Sequence, residues 1–245
     1  MNNSAPVFLT AQWRYLVMAS YVVPPEILQP HVPPGTELDF REGQTYASVV
    51  GFRFLDTRLL GIPVPFHRHF TEVNLRFYVR RLTDDGWRRG TVFISEIVPK
   101  PAIVGVANGI YNEHYSYAPM RYDIRQDVEH IQLVYRWKKG GWNMIRAFAE
   151  NRLLPMEEGS VEEFIAEHYW GYAATGAHTT NEYGVEHPRW QYYPVKNFEA
   201  HYNVSRLYGA KFEPYLNQPP ASVFIADGSE VLIRKFQRLT AKAFA

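Results

Sequence analysis

Residues 70–81, Phe-Thr-Glu-Val-Asn-Leu-Arg-Phe-Tyr-Val-Arg-Arg, change character at almost every step. Side chains of a strand point to opposite faces in turn. Thr71, Val73, Leu75, Phe77 and Val79 therefore share one face, and Glu72, Asn74, Arg76 and Tyr78 share the other. Segments that read as strands recur at 13–21, 46–54, 87–98, 120–124, 130–138 and 142–148, with more beyond residue 169. A closing hairpin is predicted to turn at Asp227-Gly228, between strands 222–226 and 230–235. Helical signals are few. Pro24-Pro25-Glu26 opens a short helix through Ile27 and Leu28, and 101–111 is small and apolar, with Gly105 and Gly109 allowing close packing. Ser160-Val161-Glu162-Glu163 is a capping box for a helix through Phe164, Ile165 and His168. Runs of strands unbroken by helices exclude a doubly wound parallel sheet. They predict an α+β chain, mainly β: an antiparallel barrel or sandwich with a few short helices packed outside. No repeat, low-complexity tract or long linker divides residues 1–245, which read as a single domain.

Aromatic residues make up 16% of the chain and are spread along it, as aromatic-rich strands require. The absence of cysteine removes disulfides, thiolate catalysis and thiolate metal sites. A net charge of +1 argues against a nucleic-acid partner. No apolar run is long enough to span a bilayer and the opening residues lack a leader pattern, so a cytoplasmic chain without a membrane partner is expected. Arginines outnumber lysines 19 to 7, and the planar guanidinium suits carboxylate binding.

The Glu72/Asn74/Arg76/Tyr78 face has two readings. In an open sheet it is solvated; in a closed barrel it points into the lumen and builds a polar pocket. His67 and His69, two residues apart and near Glu72, form a weak metal set beside a Gly-Ile-Pro-Val-Pro loop, and no metal or other cofactor is expected. Tyr111 to Tyr115 and Glu167 to Tyr172 each place a glutamate beside a histidine. Adjacent residues point different ways, so structural packing is the better reading for most of them. Nucleophile motifs are lacking, and Lys100, before Pro101, reads as an exposed turn lysine.

Trp13-Arg14-Tyr15, Pro25-Glu26-Ile27-Leu28, Val32-Pro33-Pro34-Gly35, Phe70-Thr71-Glu72, Pro101-Ala102-Ile103 and Tyr117-Ala118-Pro119-Met120-Arg121 resemble the acetoacetate decarboxylases over about half the chain. That resemblance implies their barrel fold, an active-site arginine at Arg14 and an active-site glutamate at Glu72. It puts Met120 where the family carries its Schiff-base lysine and Arg121 where a second lysine lowers the first one's pKa. Methionine forms no imine and arginine offers no free amine, so lysine-based decarboxylation is disfavoured. Residues 51–58, 65–68, 167–172 and 186–190 resemble more specifically the YqjF-type family of uncharacterised bacterial proteins, whose fold is related.

Three readings follow. An enzyme would act on a small organic acid or carbonyl compound without a Schiff base, with Glu72 as acid or base and Arg14 and Arg121 as anion stabilisers. Met120, Asn74, Arg76, His114 and Tyr117 would line its pocket. A binding or accessory protein would use the same pocket without chemistry. In a purely structural variant, Arg14 and Glu72 would form a buried ion pair with no cavity. Self-association is left open.

Overall fold

The expected strands form, most of them longer than the sequence pattern alone marks them. The computed structural model describes residues 5–240; residues 1–4 of the segment inspected for a leader lie outside the described residues. The first half runs β1 (Val7–Val22), α1 (Pro25–Leu28), β2 (Glu37–Leu38), β3 (Tyr46–Leu59), β4 (Ile62–Pro63), β5 (Phe70–Thr83), β6 (Gly86–Val98), α2 (Pro101–Tyr111), β7 (Tyr115–Tyr117) and β8 (Met120–Gln126). There follow β9 (His130–Lys138), β10 (Trp142–Glu150), β11 (Leu154–Pro155), α3 (Val161–Ala166), β12 (Trp170–Gly176), β13 (Thr179–Glu186) and β14 (Gln191–His201). The described chain ends with α4 (Val204–Tyr208), α5 (Glu213–Leu216), β15 (Ser222–Arg234) and β16 (Gln237–Thr240). None of its helices is long and apolar enough to cross a membrane.

The sheet is mixed, which corrects the expectation of a purely antiparallel one. β6 pairs in parallel with β7 (Glu96↔Tyr115, Ile97↔Ser116) and with β12 (Trp170↔Gly90). A parallel pair needs a crossover of a dozen or so residues. α2 supplies it between β6 and β7. All other pairings are antiparallel; the sheet runs β13-β12-β6-β5-β3-β1-β15, and Val185↔Ile233 joins β13 back to β15, closing a circuit of pairings. β14, β10, β9 and β8 continue from β15 as a second layer.

β5 shows what this arrangement does to side chains. Its Val73, Leu75, Phe77 and Val79 pack with Tyr135 and Trp137 of β9 and Ile145 of β10 in one core. Gly51 of β3 belongs to this contact: a Cβ there would lie 2.8 Å from both Ile145 Cδ1 and Tyr135 Cδ2. The opposite face of β5 is equally closed, with Glu72 2% and Asn74 1% exposed. The solvated-face reading therefore fails, and this face looks into the space enclosed by the circuit. A second core, with Trp13, Phe52, Phe54, Phe70, Phe164 and Trp190, surrounds that space.

Two local expectations are corrected. Asp227-Gly228 does not turn: β15 passes straight through, with Gly228 at φ +81° opposite Arg14. A Cβ at Gly228 would lie 2.0 Å from the Trp13 carbonyl oxygen, so glycine serves close strand approach rather than a hairpin. The Ser160 half of the capping box forms, its side chain accepting from Glu163 N, while Glu163 Oε2 accepts from Gly159 N, one residue before the cap. The helix ends at Ala166, before His168, whose imidazole bonds with Asp39 instead.

Candidate functional site

The enclosed space is a cavity of about 240 Å³. Its walls are aromatic: Trp13 from β1, Phe52 and Phe54 from β3, Phe70 from β5, Tyr183 from β13, and Trp190. Ile103, Val106 and Ala107 of α2, with Val64 and His67 of the loop after β4, line it where the exposure of α2 and that loop brings solvent near. Into these walls β5 sends Glu72, Asn74 and Arg76 at every second position.

At the Glu72 end three carboxyl groups share a hydrogen-bonded cluster with two tyrosines. Glu72 Oε1 accepts from Asn74 Nδ2 at 2.8 Å, and Oε2 accepts from Tyr115 OH at 3.0 Å. Glu113 Oε1 accepts from Tyr183 OH at 2.5 Å. Glu96 of β6, 2% exposed, completes the group. Burial pushes the Glu72 carboxyl up to about 7, against the pull of its two hydrogen bonds and the Arg76 charge. Burial pushes Glu113 up to about 8, and Glu96 well above its ordinary value with Glu113 and Glu72 adding to the effect. Close, desolvated carboxyls cannot all ionise at once, so the cluster retains protons at neutral pH.

The Arg76 end is basic. His168 Nε2 lies 3.1 Å from Asp39 Oδ2, which also accepts from Arg89 Nε at 2.6 Å. His187 stacks on Trp190, with ring centres 4.0 Å apart. Burial lowers both imidazoles to about 4, and the Arg76 charge contributes to each shift. Among the described residues, ten buried side-chain nitrogen or oxygen atoms lack a hydrogen-bond partner. Six of them belong to residues lining this one cavity: Trp13 Nε1, Thr57 Oγ1, Asn74 Oδ1, Arg76 Nε, Glu96 Oε2 and His168 Nδ1. Folded proteins leave few such atoms, and each calls for a reason.

Of the residues expected to form a site, Glu72, Asn74 and Arg76 meet here; the others do not. Arg14 points away from the cavity that its neighbour Trp13 lines, and binds Asp227 Oδ2 and the Gly228 carbonyl, each at 3.1 Å. The expected Arg14–Glu72 pair is therefore absent. The cause is local: Trp13 and Arg14 are consecutive in a regular stretch of β1, so with Trp13 facing the cavity Arg14 faces out. Arg121 is exposed on β8, 5.1 Å from the Trp142 ring centre, and Met120 packs against the other core. His114 is exposed, its Nδ1 3.0 Å from the Phe93 carbonyl, and Tyr117 is also exposed. His67 lines the cavity mouth while His69 bonds to the Asp56 N–H, so the pair does not converge with Glu72. Among the described residues no group of three or more His, Cys, Asp or Glu is arranged to hold a metal ion.

Glu96, Glu113, Tyr115, His168 and Tyr183 are the members that sequence reasoning missed as a set. β6 is bulged, with Leu75↔Ser95 followed by Arg76↔Phe93, so Phe93 and Glu96 reach the same cavity from positions of opposite parity. After α2, Asn112 at φ +59° turns the chain so that Glu113 is buried beside an exposed His114. The Glu-His adjacency in the sequence was the available signal in both the 111–115 and 167–172 segments.

No curated protein sequence matches the chain significantly. Solved structures do. Acetoacetate decarboxylase from Legionella pneumophila superposes with a TM-score of 0.61 at 17% identity, covering 99% of this chain and 91% of that one. An acetoacetate decarboxylase-like enzyme from Sphingomonas wittichii gives 0.65 at 12% identity, covering 97% and 95%. The enduracididine biosynthesis enzyme MppR, complexed with pyruvate, gives 0.64 at 11% identity, covering 100% and 93%. These likenesses establish an acetoacetate decarboxylase-like fold. The profile of the DUF2071 family, described as an uncharacterized conserved protein, matches residues 10–230, and the chain belongs to that family, the YqjF-type one its motifs resemble.

Proposed function

We propose that this chain is a cytoplasmic enzyme that moves a proton on a small organic acid bearing a carbonyl group, inside a decarboxylase-like barrel and without forming an imine. The observation that carries the reading is one aromatic cavity lined by the buried polar side chains of Glu72, Asn74, Arg76, Glu96 and Glu113. Burying polar and ionisable side chains costs free energy, and so many around one cavity fit a polar occupant. Glu72, with its pKa near 7, is suited to give and take a proton at neutral pH. Arg76 takes the anion-binding role that the sequence assigned to Arg14 and Arg121. The protonated carboxyls of Glu96 and Glu113 are donors for a carbonyl oxygen as it gains negative charge. Among the described residues no lysine lines the cavity, which leaves imine chemistry without its amine. The similar fold that binds pyruvate supports an oxo acid as the substrate class.

The test is solvent exchange. A panel of 2-oxo and 3-oxo acids is incubated with the protein in deuterated buffer, and loss of the proton next to the carbonyl is followed by NMR. At least one acid should exchange faster than in buffer, and Glu72→Gln should abolish the acceleration while binding persists. Exchange unaffected by Glu72→Gln refutes the role of Glu72. Tight binding without exchange anywhere in the panel favours the non-catalytic binding protein, for which the missing lysine is the supporting observation.

A further inference from the structure

The cavity wall is graded along β5. Its alternate positions run Phe70, Glu72, Asn74, Arg76, so an aromatic position precedes the polar ones on the same face. Register extends the gradient to the neighbouring strands. Trp13 of β1 pairs with Phe54 of β3, and Phe54 with Phe70, which sets an aromatic row across the sheet. Phe54 and Phe70 stack with ring centres 4.4 Å apart, and Trp13 meets Phe54 edge-on at 5.6 Å. Phe52, opposite Glu72, lies 5.1 Å from Phe54 and joins the row to the first polar position.

α2 covers this end. It carries no charged residue, and its Ile103, Ala107 and Tyr111, each four positions apart and so on one helical face, all line the cavity. The space on the Phe70 side of Glu72 is thus walled chiefly by aromatic rings and an uncharged helix face. Size points the same way. An apolar cavity of about 150 Å³ takes up a benzene ring. This one, at about 240 Å³, has room for such a ring and a short acid chain. A pyruvate-sized acid alone would leave the aromatic row without contacts.

We propose that the Phe70 side of Glu72 is a subsite for an aryl group on the ligand's carbonyl, which makes the substrate an aryl-substituted oxo acid with its acid group toward Arg76. Phe70 and Glu72 are neighbours on one strand face, roughly 7 Å apart, the reach of a carbonyl with a phenyl ring attached. A ring placed there gains edge-on and offset contacts with the aromatic walls. The inference rests on the reading that the cavity holds a carbonyl-bearing organic acid, and names the substituent on that carbonyl.

Phenylglyoxylate and pyruvate, benzoylacetate and acetoacetate, and 3-benzoylpropanoate and levulinate are pairs that differ only in phenyl for methyl at the carbonyl. Their affinities for the full chain are compared by calorimetry. In at least one pair the phenyl acid should bind about tenfold more tightly, the lower end of what burying an aromatic side chain is worth. Ala107→Phe puts a protein ring into the proposed space and should bring that ratio below about twofold. An unchanged ratio in the variant overturns the proposal. Should the variant not fold, or bind neither acid, nuclear Overhauser contacts in the wild type decide: the phenyl protons should reach the Ile103 methyls, and their failure to do so overturns the proposal. Equal affinities within every pair that are lost in Arg76→Gln also overturn it, while leaving the organic-acid cavity standing. A phenyl preference kept in Arg76→Gln at undiminished affinity supports the aryl subsite and refutes the acid reading. Failure of every acid to bind overturns both.

Discussion

The three buried carboxyls make folding stability depend on pH in a direction opposite to that of most acidic groups. Glu113 is raised from an ordinary value near 4.5 to about 8 by burial. Between those limits the folded chain holds a proton that the unfolded chain has released. Stability contributed by the protonated form is therefore complete below the unfolded pKa and is lost as pH rises through the folded one. Each pH unit in the window is worth about 1.4 kcal/mol per group. Glu113 alone thus removes on the order of 3–5 kcal/mol by about pH 8, a large share of the 5–15 kcal/mol typical of a domain. Glu72, raised to about 7, adds to the same slope. Glu113→Gln keeps an oxygen to accept the Tyr183 hydrogen bond and removes the titration. Urea unfolding at intervals from about pH 5 to about pH 9 should give a falling stability for the wild type and a visibly flatter profile for the variant. The variant should be the more stable protein at the alkaline end. Superimposable profiles would mean that the Glu113 proton is not held by the fold, and would refute the buried-cluster argument.

Arg14→Ala should change unfolding free energy by less than about 1 kcal/mol, because its pair with Asp227 is about one-third exposed. It should leave organic-acid affinity unaltered in the same calorimeter in which Arg76→Gln loses it. Gly51→Ala forces a methyl against Ile145 and Tyr135 and should lower stability by about 1–3 kcal/mol in urea melts. Glu182 is buried and accepts from Arg81 at 2.6 Å and from Arg88 at 2.8 Å. Glu182→Ala should therefore destabilise by about 3 kcal/mol or more, read as a lowered melting temperature.

How far the sequence could be read depended on whether the backbone stayed regular. The alternation of β5 placed Glu72, Asn74, Arg76 and Tyr78 on one face, and all four are buried together. The proline start of α2 and the Ser160 cap were likewise local signals that the structure keeps. Arg14 was placed by resemblance rather than by pattern, and ordinary strand alternation with the cavity-lining Trp13 turns it outward. Glu96 was missed because the bulge in β6 changes parity within the strand. His168 became part of the site only through Asp39, a partner 129 residues earlier in the chain. Gly228 misled in the opposite sense: Asp-Gly is a strong hairpin signal, yet here the glycine admits the Trp13 carbonyl of a neighbouring strand.

The buried acids bear on what this cavity holds. Substituting a buried ion or acid cluster with apolar residues of similar size is often neutral or stabilising, so such clusters are poor devices for holding a fold together. Three glutamates in this cavity sit among aromatic walls that could have been completed with further apolar side chains. Their desolvation raises every one of their pKa values. What the same field favours is a proton shared among carboxyls and available near neutral pH, with a fixed cation at the far end. That polarity suits an acid molecule anchored at Arg76 and worked on at Glu72.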